Sequence, residues 1–231
     1  MKNKRPLILI SNDDGYQAKG INCLVDMVRD LGDVIVCAPD GGRSGYACAF
    51  SAKDYLRLEK VSQEEGVQVW TCTGTPVDNL KIALNQVVPR TPDIVLAGIN
   101  HGDNASVNTH YSGTMGVAME GCMKYIPSVA FSLCDYSEDA DFEPLRPYVR
   151  MLVQKVLAEG LPKGVCLNVN FPKRSEEPLK GIKVCRQAAC RWVEYFNDLY
   201  DENGERYYNM DGTFESDDIM PDTDLCALQN N

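Results

Sequence analysis

Histidine is scarce in this chain of 231 residues, and paired cysteines are missing. The histidines are His101 and His110, and the ten cysteines are scattered with no Cys-x-x-Cys motif. These features argue against a zinc site of the histidine and cysteine type. They also argue against a disulfide framework, because a free cysteine inside an apolar run behaves as a small hydrophobic residue.

The chain also lacks long apolar runs, and it has fewer basic residues than acidic ones. No run approaches the roughly 20 residues that a membrane-spanning helix needs. The basic residues 1–6 lead into only four apolar residues, too few for a signal peptide, so we expect a cytoplasmic protein without a membrane partner. The net charge of −10 repels polyanions and excludes extended nucleic-acid binding. A small phosphorylated ligand is still compatible with this charge if a cation neutralises it locally.

A buried strand followed abruptly by polar residues dominates the first part of the chain. Residues 7–10 (Leu-Ile-Leu-Ile) are typical of a strand buried on both faces, and residues 11–15 (Ser-Asn-Asp-Asp-Gly) are typical of a turn. Apolar residues then recur at helical spacing up to Gly32. Asp13 and Asp14 therefore lie just past the carboxyl end of the first strand of a β-α-β unit, where ligands bind in open α/β sheets. Taken alone, these two residues are best explained as a turn.

Two further predicted strands also end in polar residues. Residues 33–39 lead into a glycine-rich loop that contains Ser44, and residues 93–100 end in Asn100 and lead into His101. Carboxylate, hydroxyl and amide oxygens are the ligands that Mg²⁺ and Mn²⁺ prefer. His101 is equally well explained as a residue of the site or as a bystander in the loop.

Two predicted helix starts carry polar residues that bear on function. Ser112-Gly113-Thr114 opens a helix with backbone N–H groups beside hydroxyls, which suits either a phosphate or plain N-capping. Thr75 and Asp78 form a capping pattern, for which helix capping is a sufficient explanation. Together with the polar strand ends, this pattern indicates metal-assisted chemistry on a phosphate group.

The remaining chain adds strands, a helix and an aromatic arm. We expect strand-like pieces at 55–58 and 67–70, strands at 127–133 and 165–172, and an amphipathic helix over 142–159. From residue 181 the character changes, and Asn203-Gly204 between strand-like runs predicts a hairpin. We therefore divide the chain into an α/β catalytic part, 1–180, and a hairpin arm with a C-terminal tail, 181–231, within one structural domain. The arm either packs on a second subunit or covers the site.

Five motifs, in order, resemble the SurE (survival protein E) family of metal-dependent 5′/3′-nucleotidases. They are residues 11–15, 38–45, 74–78, 98–104 and 111–114. The resemblance implies one divalent cation per subunit, Mg²⁺, Mn²⁺ or similar, on Asp13, Asp14, Ser44 and Asn100. It also implies phosphate binding by Asn104 and by Ser112, Gly113 and Thr114. It further implies a Rossmann-like three-layer α/β sandwich with a mostly parallel sheet, a C-terminal β-hairpin arm, and a homodimer or homotetramer.

The function expected from this resemblance is hydrolysis of nucleoside 5′-monophosphates, and of 3′-monophosphates in addition, by a metal-positioned water. Asp13 or Asp14 acts as the general base. The alternative is a metal-dependent nucleotide-binding or sensor module without turnover, whose site would look the same in sequence. Two departures from the family pattern stand out: the glycine usual after Asn104 is missing, and so is the strand expected after Leu228.

Overall fold

The computed structural model describes residues 5–137, 139–173 and 179–230. The chain divides into two compact units, which we describe separately. The first comprises Met1–Asn104 with Asn108–Pro178, and the second comprises Ala105–Val107 with Leu179–Asn231.

A seven-stranded sheet forms the centre of the first unit, in the order β3-β4-β2-β1-β5-β6-β7. Its strands are β1 Leu7–Ser11, β2 Asp33–Pro39, β3 Leu58–Glu64, β4 Val67–Cys72, β5 Ile94–His101, β6 Ser128–Leu133 and β7 Leu167–Phe171. All neighbours run parallel except β3, which pairs with β4 antiparallel at the edge. The carboxyl ends of β1, β2 and β5 therefore meet at one edge of the sheet, because these three strands are adjacent and parallel.

Four helices accompany the sheet: α1 Lys19–Val28, α2 Pro76–Ile82, α3 Gly113–Met123 and α4 Arg146–Glu159. Leu7 and Leu9 of β1 belong to a core cluster that also contains residues of α2 and α3. Successive side chains of a strand point to opposite faces, so the fully buried Ile8 and Ile10 face the other side. The helices α1 and α4 pack against each other, as do α2 and α3. The predicted α/β fold with a mostly parallel, doubly covered sheet is confirmed.

Local sequence patterns predicted the buried strands more accurately than the exposed one. The prediction of a strand at 55–58 is wrong, because β3 begins at Leu58 and runs to Glu64. Six of its seven residues are exposed, and its composition is mostly polar. A strand with no buried face lacks the apolar signal by which strands are recognised, and here pairing with β4 defines it. The ten cysteines are all free, as expected.

The second unit contains a long hairpin of β8 Cys190–Tyr200 and β9 Arg206–Ser216 and a short helix, α5 Asp224–Gln229. The predicted turn at Asn203-Gly204 is confirmed, with Gly204 at a φ of 79°. Trp192 and Phe214 pair across the strands, with ring centroids 5.5 Å apart. Within the described residues, no helix has the length and apolar character that crossing a bilayer requires.

Candidate functional site

Asp13 is a buried carboxyl group at the carboxyl edge of the sheet. It lies two residues past the end of β1 and is 3% exposed. Its Oδ2 accepts a hydrogen bond from the Gly113 backbone N–H at 3.1 Å, and its Oδ1 accepts one from the Thr114 hydroxyl at 2.5 Å. A Cβ at position 113 would lie 2.7 Å from the Cβ of Asp13, so this close approach requires glycine. The start of α3 is thus bound to the end of β1.

The two neighbouring carboxyl groups are both pushed toward their protonated forms. Burial raises the pKa of Asp13 from 3.8 to about 6, against the opposing hydrogen bond from Thr114 and with a further rise from the charge of Asp14. Burial also raises the pKa of Asp14, opposed by the backbone N–H of His101 at 3.5 Å. A cation beside both groups would favour their charged forms and remove their repulsion.

Asn100 and His101 come from the end of β5, the neighbour of β1 in the sheet. The side-chain nitrogen of Asn100 donates to the carbonyl oxygens of His101 and Gly102, at 3.0 and 2.9 Å. Because both bonds use the nitrogen, Oδ1 is the atom of this side chain suited to binding a cation. The ring of His101 packs edge-on against Phe142, with centroids 4.8 Å apart. Its backbone, rather than its ring, contacts Asp14.

Ser44 lies on the loop after β2, which we call the Ser44 loop and define as residues 40–51. The Ser44 side chain is exposed. The preceding residue, Arg43, donates its backbone N–H to the carbonyl oxygen of Asp13 at 2.6 Å. The Arg43 guanidinium pairs with Asp40 at 2.9 Å. The loop is therefore attached to the main chain of Asp13 at the residue next to Ser44.

The four residues expected to bind phosphate fall into two groups. Ser112 caps α3 by accepting a hydrogen bond from the Met115 backbone N–H at 3.0 Å, while Gly113 and Thr114 contact Asp13. Asn104 lies apart from these contacts in a network with later strands: its side-chain nitrogen donates to Ser132 Oγ of β6 at 2.7 Å, and its backbone N–H to Asn170 at 2.8 Å.

The loop after Asn104 adopts its turn without the glycine usual in the family. Ala105 takes the position of that glycine, and Ser106 adopts a φ of 48°. This left-handed conformation is uncommon for residues other than glycine. Ser106 is held by its backbone N–H, which donates to Asp224 Oδ2 at 2.7 Å within the second unit.

The donor set at this edge fits a hard divalent cation. In the ranges that the structure describes, no cluster of three or more His, Cys, Asp or Glu side chains is arranged to hold a metal. The four residues expected to bind the ion carry carboxylate, hydroxyl and amide oxygens, the kind of ligand that Mg²⁺ and Mn²⁺ prefer. Ser51, which contacts Asp78, could not be predicted from the sequence, because the two residues are 27 positions apart and no motif marks Ser51.

Fold and site together define the class: a Rossmann-like α/β protein with two adjacent aspartates at the carboxyl edge of its parallel sheet. The family model described as Survival protein SurE matches residues 8–194. This chain belongs to the SurE family.

Individual relatives agree with this assignment along nearly the whole chain. A 5′-nucleotidase SurE of Phocaeicola vulgatus is 51% identical over 230 residues, which cover 99% of this chain and 88% of that protein. Another of that name, from Bacteroides thetaiotaomicron, is 47% identical over 231 residues, covering 100% and 88%. The crystal structure of the SurE protein from Aquifex aeolicus matches with a TM-score of 0.80 at 35% identity, covering 97% of this chain and 90% of that one.

Proposed function

We propose that this chain is a divalent-metal-dependent phosphomonoesterase that hydrolyses nucleoside 5′-monophosphates, and 3′-monophosphates in addition, to nucleoside and phosphate. The proposal is supported by family membership and by relatives of 51% and 47% identity named 5′-nucleotidase SurE. The observation that carries it is the pairing of Asp13 and Asp14 at the end of β1, with Asp13 bound to the first residues of α3.

We assign one Mg²⁺ or Mn²⁺ ion per subunit to Asp13, Asp14, Ser44 and Asn100. The all-oxygen donor set and the raised pKa values of both carboxyl groups support this assignment. When bound, such a cation supplies positive charge that polarises the phosphoryl group and its attacking water.

The other residues of the site bind the phosphate and move a proton. We assign the phosphoryl oxygens to Asn104 and to Ser112, Gly113 and Thr114, because the last three lie at the N-terminus of α3, and the positive end of a helix attracts anions. Of the two aspartates, we assign proton abstraction from water to Asp14. Its hydrogen bond from His101 is a long one of 3.5 Å, whereas both oxygens of Asp13 accept shorter bonds. Asp14 is also only partly buried, so a water molecule can reach its carboxylate.

The surface and charge of the chain support proposals about its partners and domains. Residues 1–180 would form the catalytic Rossmann-like domain, and the arm within 181–231 would join subunits into a homodimer or homotetramer. Phe196 and Met210 pair across the hairpin and are 62% and 63% exposed, which suits an apolar contact with another chain. The net charge of −10 supports an enzyme that binds neither nucleic acid nor anionic membrane surfaces, and we propose that it is cytoplasmic.

Phosphate release from a nucleoside 5′-monophosphate in the presence of Mn²⁺ tests the proposed function. We expect turnover by the wild-type protein, its loss in Asp14→Asn, and its retention in Asp54→Asn, which removes an exposed carboxylate outside the site. The same assay with a 3′-monophosphate measures the second substrate class. Nucleotide binding without phosphate release would instead show a binding or sensor module.

A further inference from the structure

The motif at residues 74–78 (Gly-Thr-Pro-Val-Asp) forms a capping box at the start of α2. The Asp78 backbone N–H donates to Thr75 Oγ1 at 3.1 Å, and the Thr75 backbone N–H donates to Asp78 Oδ2 at 2.9 Å. Each side chain thus caps the other residue's backbone, as the sequence predicts. Both residues are buried, at 8% and 3% exposed, although helix capping by itself does not require burial.

The same two side chains also hold the far end of the Ser44 loop. Asp78 Oδ1 accepts the Ser51 backbone N–H at 2.8 Å, and Oδ2 accepts the Ser51 hydroxyl at 2.8 Å. The Thr75 hydroxyl donates to the carbonyl oxygen of Ala49 at 2.7 Å. Burial would raise the pKa of Asp78, but the hydrogen bonds from Ser51 and Thr75 outweigh it and lower the pKa. Asp78 is therefore a buried, negatively charged carboxylate that binds Ser51.

The rest of the Ser44 loop is attached to the site itself. Near the start of the loop, the Arg43 backbone N–H donates to the carbonyl oxygen of Asp13. Further along, the Ala47 backbone N–H donates to the carbonyl oxygen of Tyr111 at 3.2 Å. A Cβ at position 116 of α3 would lie 2.4 Å from the Ala47 carbonyl oxygen, so glycine is needed there for the loop to approach. Ala47 has a φ of 51°, a strained conformation that persists only where surrounding contacts impose it.

We propose that Thr75 and Asp78 are positioning residues for the reaction, which hold the Ser44 loop in place so that Ser44 stays beside Asp13. This inference rests on the proposed function, in which Ser44 is a ligand of the cation. A loop that is already ordered does not lose conformational entropy when its hydroxyl binds the ion. Loosening the loop should therefore weaken cation binding, while the chemical step at saturating cation is preserved.

Ser51→Ala is the sharpest test, because it removes one hydrogen bond to Asp78 and leaves the capping box intact. The matched control is Ser62→Ala, which removes an exposed hydroxyl from β3. Ser51→Thr keeps the hydroxyl and should behave like the wild type. The measurements are hydrogen–deuterium exchange of the amides at 40–51, the dissociation constant for Mn²⁺ alone, the thermal midpoint, and phosphate release.

For Ser51→Ala we expect exchange at 40–51 and the Mn²⁺ dissociation constant each to rise about two- to tenfold, the range for losing one hydrogen bond. The thermal midpoint should fall by a few degrees relative to Ser62→Ala, because one hydrogen bond of the folded state is lost, and turnover at saturating Mn²⁺ should match the wild type. A purely structural role would lower the thermal midpoint and leave the Mn²⁺ dissociation constant equal to that of Ser62→Ala, and this result would overturn the proposal. Exchange and Mn²⁺ affinity equal to those of Ser62→Ala would overturn it as well.

Ser44→Ala separates this inference from the proposed function. Weaker Mn²⁺ binding by Ser44→Ala supports Ser44 as a ligand, and the result for Ser51→Ala then decides the positioning role alone. If Ser44→Ala binds Mn²⁺ as the wild type does, the ligand assignment in the proposed function is wrong. The proposed effect of Thr75 and Asp78 on cation binding is then also wrong, because it acts through Ser44.

Discussion

Replacing Asp13 by asparagine should leave the metal-free protein as stable as the wild type or more stable, although it removes activity. Burial raises the pKa of Asp13 from 3.8 to about 6, and a rise of about two pKa units corresponds to about 3 kcal/mol against the charged form. Asparagine has one acceptor oxygen for the two donors Gly113 and Thr114, and losing one hydrogen bond costs about 1 kcal/mol. The expected net gain near pH 7.5 is therefore about 1–2 kcal/mol.

The pH dependence of this difference has a definite sign. Because folding raises the pKa of Asp13, the folded protein binds more protons than the unfolded chain between about pH 4 and pH 6. The stability contributed by Asp13 is fully present below its unfolded pKa and is lost as the pH rises through about 6. The advantage of Asp13→Asn over the wild type should therefore be small at pH 4.5 and reach its full size above pH 6.5.

Urea unfolding in EDTA at these two pH values measures the difference, with Asp54→Asn as the control for removing an exposed carboxylate. Phosphate release with Mn²⁺, expressed per folded molecule, measures activity in parallel. A loss of more than about 1 kcal/mol in the unfolding free energy of Asp13→Asn at pH 7.5 would contradict this prediction, because it would exceed the expected cost of the hydrogen bond alone. The prediction would be refuted equally if the difference did not change with pH, or if turnover were unaffected.

Further expectations concern the cation, the core and the hairpin. Chelation with EDTA should abolish phosphate release and added Mg²⁺ or Mn²⁺ should restore it; full activity in metal-free buffer would contradict the assigned cation. Ser11→Ala should raise the free energy of unfolding by about 1 kcal/mol. The reason is that the Ser11 hydroxyl is fully buried and has no hydrogen-bond partner in the part of the chain that the structure describes. Chemical denaturation of the variant and the wild type measures this difference. Phe196→Lys should shift the mass measured by light scattering from an oligomer toward the monomer with metal binding unchanged, and a monomeric wild-type protein at micromolar concentration would contradict the role given to the arm. Deleting 194–208 should have the same effect.

Features that depend on a few neighbouring residues could be predicted well. The capping box of Thr75 and Asp78 and the hairpin turn at Asn203-Gly204 are present as predicted. In both cases the hydrogen-bonding groups are close in sequence, so backbone preference and side-chain chemistry suffice. The motif that carries Asp13 and Asp14 could be placed after a buried strand for the same reason. The edge strand β3 could not be predicted from the sequence, because its residues bury no apolar face.

The amino-acid sequence by itself determined the buried strands, the polar residues at their ends and the starts of the helices. Tertiary structure alone decided which of these residues meet: Asp13 with Gly113 and Thr114, 100 and 101 residues apart, and Asp78 with Ser51, 27 residues apart. These contacts depend on the order of the strands and on how closely α3 approaches the end of β1. Periodicity and turn chemistry act within one element, so they carry no information about distances between elements.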